Sequence, residues 1–270
     1  MKSLREPENI RALSLFLLFS CVAAAQDNWT QITTVRVKPD MIDKWRGIYK
    51  NEIVPAYKKA RLPSFAVWRN SPFGDTYEFT LVTPIGKFAQ FDAMSPLTKV
   101  MKTADRLRVE AELNRCVAGA FSVALLSQPD ISVVKEGAVA PPLIMVQTVT
   151  LAPKNVNAYL AFLKEEMKPV IQKAGVDVWL VYRHVFGSEG NQITTIRSMS
   201  GYAELDAGPL TSRILGPDEA VRLGAKGNQF LDSSRIVVAQ YDKEISYGRI
   251  SEPASSGVSR AQPAHPNLPD

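Results

Sequence analysis

The side chains best suited to chemistry lie on two short stretches, residues 65–70 and 179–184, which both read as β-strands. Strict alternation places Trp68 and Asn70 on one face of the first strand, and Tyr182 and His184 on the matching face of the second. The imidazole of His184 could act as a base, a proton shuttle or a haem ligand. If the two strands belong to paired halves, these four side chains line one ligand site, with His184 as its candidate catalytic residue.

Two arginines mark the opposite face of the same strands. Arg69 and Arg183 each end a face that is otherwise apolar. Their forked guanidinium groups could hold an anionic ligand. In the alternative interpretation, which we favour, their stems lie over the apolar face and their heads pair with carboxylates. The candidate partners are Glu78, Asp92 and Asp206. Alternation does not determine which of the two faces points towards a cavity.

Several motifs that define enzyme classes are absent from the sequence. It contains no GxGxxG after a strand, no Walker-type loop, no GxSxG, no HExxH and no CxxC. Residues 26–250 contain a single histidine, His184, which excludes a site built from several histidines. We therefore predict no metal and no cofactor, with haem bound through His184 as the alternative.

An internal repeat positions these residues. Residues 35–42 (VRVKPDMI) return as residues 149–156 (VTLAPKNV), an offset of 114 positions. The same offset joins further pairs: Pro39 and Pro153, Pro55 and Pro169, Arg69 and Arg183, Asp92 and Asp206. A repeat of this length indicates that one structural unit is present twice.

Each copy predicts the order strand, helix, two strands, helix, strand. The strands show period-two alternation and the helices apolar residues at helical spacing. Pro55 and Pro169 fall inside the first helix of each copy, so both helices should bend near Asn51 and Glu165. The order is that of a ferredoxin-like α+β fold. One such sheet leaves an apolar face uncovered, which the second copy can cover.

With this element order, the repeat and the proline-marked first helix, residues 30–248 resemble the dimeric α+β barrel superfamily in a tandem form. The resemblance implies that two ferredoxin-like sheets join into one barrel. Members include antibiotic-biosynthesis-type monooxygenases, haem-degrading oxygenases, chlorite dismutases and ligand sensors, so the fold does not specify a function. Some haem-degrading members use Asn, Trp and His together, types present here as Asn70, Trp68 and His184, although His184 on a strand does not match their pattern.

The two ends of the chain differ from its middle. Residues 1–25 combine basic residues, a short apolar run and an Ala-Ala-Ala site, which predicts a cleaved signal peptide and export to a bacterial periplasm or the medium. A lipid anchor at Cys21 is the alternative. Residues 251–270 are rich in Pro, Ser and Ala and predict a disordered tail. Between them we place two repeats, at residues 27–140 and 141–250.

The charge and composition limit the classes of binding partner to be expected. The formal net charge of +5 without basic runs gives no reason to expect nucleic acid, and no apolar stretch is long enough for a membrane span. The favoured function is binding of a small anionic or aromatic molecule in the barrel. A monooxygenase-like or haem-dependent enzyme and a non-catalytic interaction protein are the alternatives, so enzymatic activity stays undecided. The chain is expected to be a monomer or a homodimer.

Overall fold

The first half of the chain forms four strands of five to eleven residues and two helical regions. The computed structural model describes residues 29–93 and 95–248. The predicted signal peptide, Cys21 and the predicted tail lie outside the described residues. The strands are β1 (Trp29–Val37), β2 (Ala66–Asn70), β3 (Glu78–Ile85) and β4 (Val117–Ser127), and the helices are α1 (Ile42–Ile48), α2 (Val54–Lys59) and α3 (Thr103–Cys116).

The second half follows a short connecting strand, β5 (Val133–Val134), and has a similar order of elements with additional short helices before its last strand. Its elements are β6 (Leu143–Leu151), α4 (Val156–Phe162), α5 (Lys168–Lys173), β7 (Val178–Phe186), β8 (Gln192–Met199), α6 (Ala203–Asp206), α7 (Leu210–Leu215), α8 (Pro217–Asn228) and β9 (Leu231–Tyr241). Within the described residues, no helix combines the length and apolar character that crossing a membrane requires.

The repeated prolines coincide with a repeated irregularity. A five-residue π turn, Tyr49–Ile53, joins α1 to α2, and Leu163–Met167 joins α4 to α5. Proline cannot donate a backbone hydrogen bond and its ring crowds the carbonyl four residues earlier. A wider π turn relieves this conflict. Because Pro55 and Pro169 each follow a π turn directly inside the next helix, the irregularity has the same local cause in both halves.

Pairing between the halves closes the sheet into a barrel. The strand order is β4-β1-β3-β2-β9-β6-β8-β7-β5, and a further pairing joins β4 to β7. Both seams are short: β2 meets β9 over residues 68–70, and β4 meets β7 near Leu125 and His184. The prediction of an α+β fold whose antiparallel sheet closes into a barrel is therefore confirmed.

The strands separate two kinds of apolar core. On the outer side of the sheet, helices cover each half, with Trp45 against Phe79 in the first and Tyr159 near Trp179 in the second. Burial of each such side chain contributes about 1.5–3 kcal/mol. On the inner side, side chains from opposite strands meet in further clusters, one of which contains Trp68. The barrel interior is thus packed with side chains at these positions.

Candidate functional site

The structure decides which strand face points inwards. Trp68, Asn70, Tyr182 and His184 all face the barrel interior, and each is at most 8% exposed. Trp68 and Tyr182 belong to separate interior clusters that both contact Ile196. The four side chains therefore line one interior but do not converge on a single point.

The arginine pair lies on the other face. Arg69 alternates with the inward residues Trp68 and Asn70, and its Nη2 donates to Oε1 of Gln240 at 3.3 Å. Arg183 is exposed on β7. The two guanidinium groups do not enter the barrel interior, so they do not share a site with the inward-facing residues.

A chain of hydrogen bonds engages both ring nitrogens of His184. Nδ1 lies 2.9 Å from Oγ of Ser188, and Nε2 lies 2.8 Å from Oγ1 of Thr194. Thr194 continues the chain to Oγ1 of Thr148 at 2.8 Å. Burial lowers the pKa of His184 to about 4, so the ring is neutral at pH 7. Burial raises the pKa of Tyr182 to about 12, against an opposing hydrogen bond with Thr30, which leaves it neutral too.

The pseudo-equivalent position in the first half carries a different polar pair. Asn70 Nδ2 donates to Oε1 of Glu78 at 3.0 Å, and Nη2 of Arg235 lies 3.6 Å from the same oxygen. Asn70 is 3% exposed, whereas the Arg235 side chain is largely exposed. The hydrogen bond between Asn70 and Glu78 is therefore structural, and the charged Arg235 lies on its solvent side.

Haem does not fit at His184. An iron ligand needs a free nitrogen lone pair, and here each nitrogen already has a hydroxyl partner. The ring is also enclosed, because apolar clusters around Leu125 and Tyr182 fill the neighbouring interior. Among the described residues, no group of three or more His, Cys, Asp or Glu side chains could hold a metal ion.

This geometry predicts the result of a haemin titration. We expect the absorbance of added haemin to show no sharpened Soret band with wild-type protein, because binding would break a hydrogen bond of the buried His184 ring. A His184→Ala variant should give the same flat titration. A sharp band that disappears in His184→Ala would contradict the prediction.

The aromatic pocket, defined by Phe88, Phe91 and Phe186 around β1 and β4, is a second kind of site. Phe88 and Phe186 lie edge to face with centroids 5.6 Å apart, and Trp29 packs against both, at 4.9 and 5.8 Å. The space between them measures about 390 Å³. Phe88, Phe91 and Phe186 are 40%, 51% and 56% exposed, so the rings form open walls.

The floor of the aromatic pocket is small and weakly polar. Ser122 and Ala124 of β4 lie beside Gln31 of β1, and Ser122 Oγ is 2.7 Å from Oγ1 of Thr33. None of the described side chains that line the space is charged; they are Gln31, Ile85, Phe88, Phe91, Ser122, Val123, Ala124 and Phe186, together with Gly187. Such a site suits an uncharged, mainly apolar ligand.

One glycine brings the wall from the second half into place. Gly187 follows β7 with φ +82°, a conformation that L side chains rarely adopt. A Cβ at this position would overlap with the carbonyl oxygen of Ser122 and approach Cα of Val123 to 3.2 Å. The absence of a side chain thus lets the turn after β7 lie against β4, which places Phe186 over the pocket.

Sequence reasoning did not find this pocket. Phe88 and Phe91 lie on a 3-10 turn between β3 and α3. The available signal was a difference between the copies: Ser122 and Ala124 correspond, at the 114-residue offset, to the larger Ile236 and Val238. A pocket in one half can explain that difference.

The fold and the site together define the class of protein: an α+β barrel with an uncharged aromatic pocket. No family model matches the chain, and no curated protein matches it. Among solved structures, a candidate monooxygenase from Lactobacillus acidophilus superposes with a TM-score of 0.57 at 9% identity, covering 83% of this chain and 98% of that one. An anthrone oxidase-like protein gives 0.56 at 11% identity, covering 84% and 96%.

A variant chlorite dismutase from Candidatus Nitrospira defluvii is a further structural neighbour. It superposes with a TM-score of 0.52 at 9% identity, covering 81% of this chain and 92% of that one. These neighbours belong to the dimeric α+β barrel superfamily. At these identities the likeness establishes the fold, and the function must be argued from the site.

Proposed function

We propose that this protein binds a small, uncharged, planar apolar molecule in the aromatic pocket. The carrying observation is the set of partly exposed rings, Phe88, Phe91 and Phe186, around a space of about 390 Å³. Exposed rings leave apolar surface in contact with water, and a bound ligand would cover that surface. Offset or edge-to-face contact with a bound ring contributes about 0.5–1.5 kcal/mol per pair beyond the area effect.

The polar floor gives the ligand an orientation. The amide of Gln31 and the hydroxyl of Ser122 can each donate or accept a hydrogen bond. No described lining side chain can neutralise a charge, and moving an unpaired carboxylate from water into such a site is costly. Of the two ligand types that the sequence suggests, the pocket supports the aromatic one over the anionic one.

An oxidative enzyme without a cofactor is the second candidate. The neighbours described as a candidate monooxygenase and as anthrone oxidase-like favour it. Catalysis of this kind needs a group that can move a proton, and none of the described lining side chains titrates near neutral pH. His184 faces the barrel interior and is held neutral by burial. Binding therefore ranks first.

We also propose how the chain is divided into repeats and that it is exported. We infer that residues 27–140 and 141–250 are tandem ferredoxin-like repeats, supported by their equal element order and by the strand orders β4-β1-β3-β2 and β9-β6-β8-β7. We further propose that residues 1–25 direct export and are removed, as their composition suggests. Release of the chain into the periplasm without these residues would test the latter.

The binding proposal is tested with N-phenyl-1-naphthylamine, an uncharged probe whose fluorescence rises in apolar sites. We expect Phe88→Ala and Phe186→Ala each to weaken binding about tenfold, corresponding to ~1.4 kcal/mol. The matched control is Phe73→Ala, which removes a phenylalanine of similar exposure, 61%, outside the pocket. It should leave binding unchanged. Equal loss in all three variants, or no binding to the wild type, would refute the proposal.

A further inference from the structure

The second half contains the place where an equivalent pocket would lie. On the outer face of β1 and β4, Gln31 pairs with Ala124, and on β6 and β9 Met145 pairs with Val238. Both pairs keep the 114-residue offset, so the two faces correspond residue by residue. The equivalent of the 3-10 turn that carries Phe88 and Phe91 is α6.

Side chains fill this second place. Leu143, Met199 and Val238 form a buried cluster there, and Met145 and Leu205 pack against it. Val238 is larger than its counterpart Ala124. Leu205 of α6 is partly buried, whereas its counterpart Phe91 is 51% exposed and lines the open aromatic pocket. On the second face, the residues that correspond to the aromatic pocket therefore pack against one another.

Hydrogen bonds hold α6 in the closing position. Oε1 of Glu204 accepts from Ser200 N at 2.5 Å and from Ser200 Oγ at 2.8 Å, and Oε2 accepts from Arg197 Nη1 at 3.0 Å. Tyr202 also donates to the carbonyl oxygen of Ser71. The corresponding turn in the first half has one such tie among its described residues, from Gly86 N to Gln90 Oε1 at 3.2 Å.

We propose that the second half carries a closed copy of the aromatic pocket, which admits the same class of uncharged apolar ligand when α6 moves away from β6 and β9. The ligand class rests on the proposed function of the first pocket. Two of the residues to be displaced are methionines, whose unbranched side chains adapt to new neighbours at low cost. Release of Leu205 with α6 opens the space above Met145 and Met199.

Separate reporters distinguish the two sites in one titration with N-phenyl-1-naphthylamine. The indole N–H resonance of Trp29 follows the first pocket, and the methyl resonances of Met145 and Met199 follow the second. In the wild type we expect the methionine signals to respond at concentrations at least tenfold higher than the Trp29 signal. Met41 and Met101, which pack in the first half's helix-side core, should not respond.

Two variants probe the closure. Glu204→Ala removes the hydrogen bonds of α6 to Ser200 and Arg197, and Leu205→Ala removes the side chain that covers the cluster. Each should tighten the second site at least fivefold and leave the first within twofold. The control is Asp206→Ala, which removes an exposed carboxylate from the same helix and should change neither.

The outcomes separate this inference from the proposed function. If Trp29 responds but Met145 and Met199 stay silent in the wild type and both variants, the closed copy does not exist and the first pocket stands. If the methionines respond and Trp29 does not, the proposed function fails and the second site stands. Silence of all three reporters would overturn both.

Discussion

Gly187→Ala should lower the free energy of unfolding by roughly 2–4 kcal/mol. Part of this cost comes from placing an L side chain in a left-handed backbone conformation, and part from crowding of the new methyl group against the backbone of β4. The added methyl group would overlap with the carbonyl oxygen of Ser122, and a strand backbone cannot move aside as a flexible side chain can. For a chain of this size we expect the melting temperature to fall by roughly 4–12 °C. Because the turn must lift from β4, Phe186 should leave the pocket and probe binding should weaken with it.

The same turn provides a matched control. A Cβ added at Gly190 would have no atom within 4 Å, and the backbone there is not left-handed. Gly190→Ala should therefore change the free energy of unfolding by at most about 0.5 kcal/mol. Thermal unfolding of both variants, monitored by circular dichroism, measures the difference in melting temperature. Equal melting temperatures for the two variants would show that the approach of the turn to Ser122 is not needed.

Acid should remove up to about 3 kcal/mol of stability through His184 alone. The pKa of its ring is about 4 in the folded protein, below the ordinary value of 6.5, because burial disfavours the charged form. Between these two pH values the unfolded chain binds a proton that the folded protein does not. The free energy of unfolding therefore falls as the pH falls from about 6.5 to about 4. Below that range this contribution stays constant.

The variant His184→Asn isolates this effect. Asparagine occupies the pseudo-equivalent inward position, as Asn70, and does not titrate. Urea unfolding at several pH values should show that the free energy of unfolding falls more steeply for the wild type than for the variant as the pH falls from 6.5 to 4. Other groups, including Glu204 with its lowered pKa, act in both proteins and cancel in the difference. Parallel curves would show that His184 is not buried in its neutral form.

Local patterns in the sequence predicted the α+β class, and the resemblance to dimeric α+β barrel proteins predicted the closed sheet. Alternation and helical spacing depend on neighbours a few residues apart, so the strand and helix order of both halves could be predicted. The offset between Pro55 and Pro169 marked equivalent positions, and a π turn precedes each proline, at Tyr49–Ile53 and Leu163–Met167. The choice of strand face could not be made, since alternation is symmetric between the two faces. Helix packing on Val67 and Val181 made that choice and directed Trp68 and His184 inwards.

The candidate pocket depended on contacts that no local pattern contains. Its walls come from residues 85–91, 122–124 and 186–187, which meet only after β7 pairs with β4 and closes the barrel. The sequence by itself determined the α+β order, the repeat and the residue types available for chemistry, because these follow from short-range periodicity. Only the tertiary structure decided which side chains share a cavity, because that depends on pairing between strands about sixty residues apart in the chain.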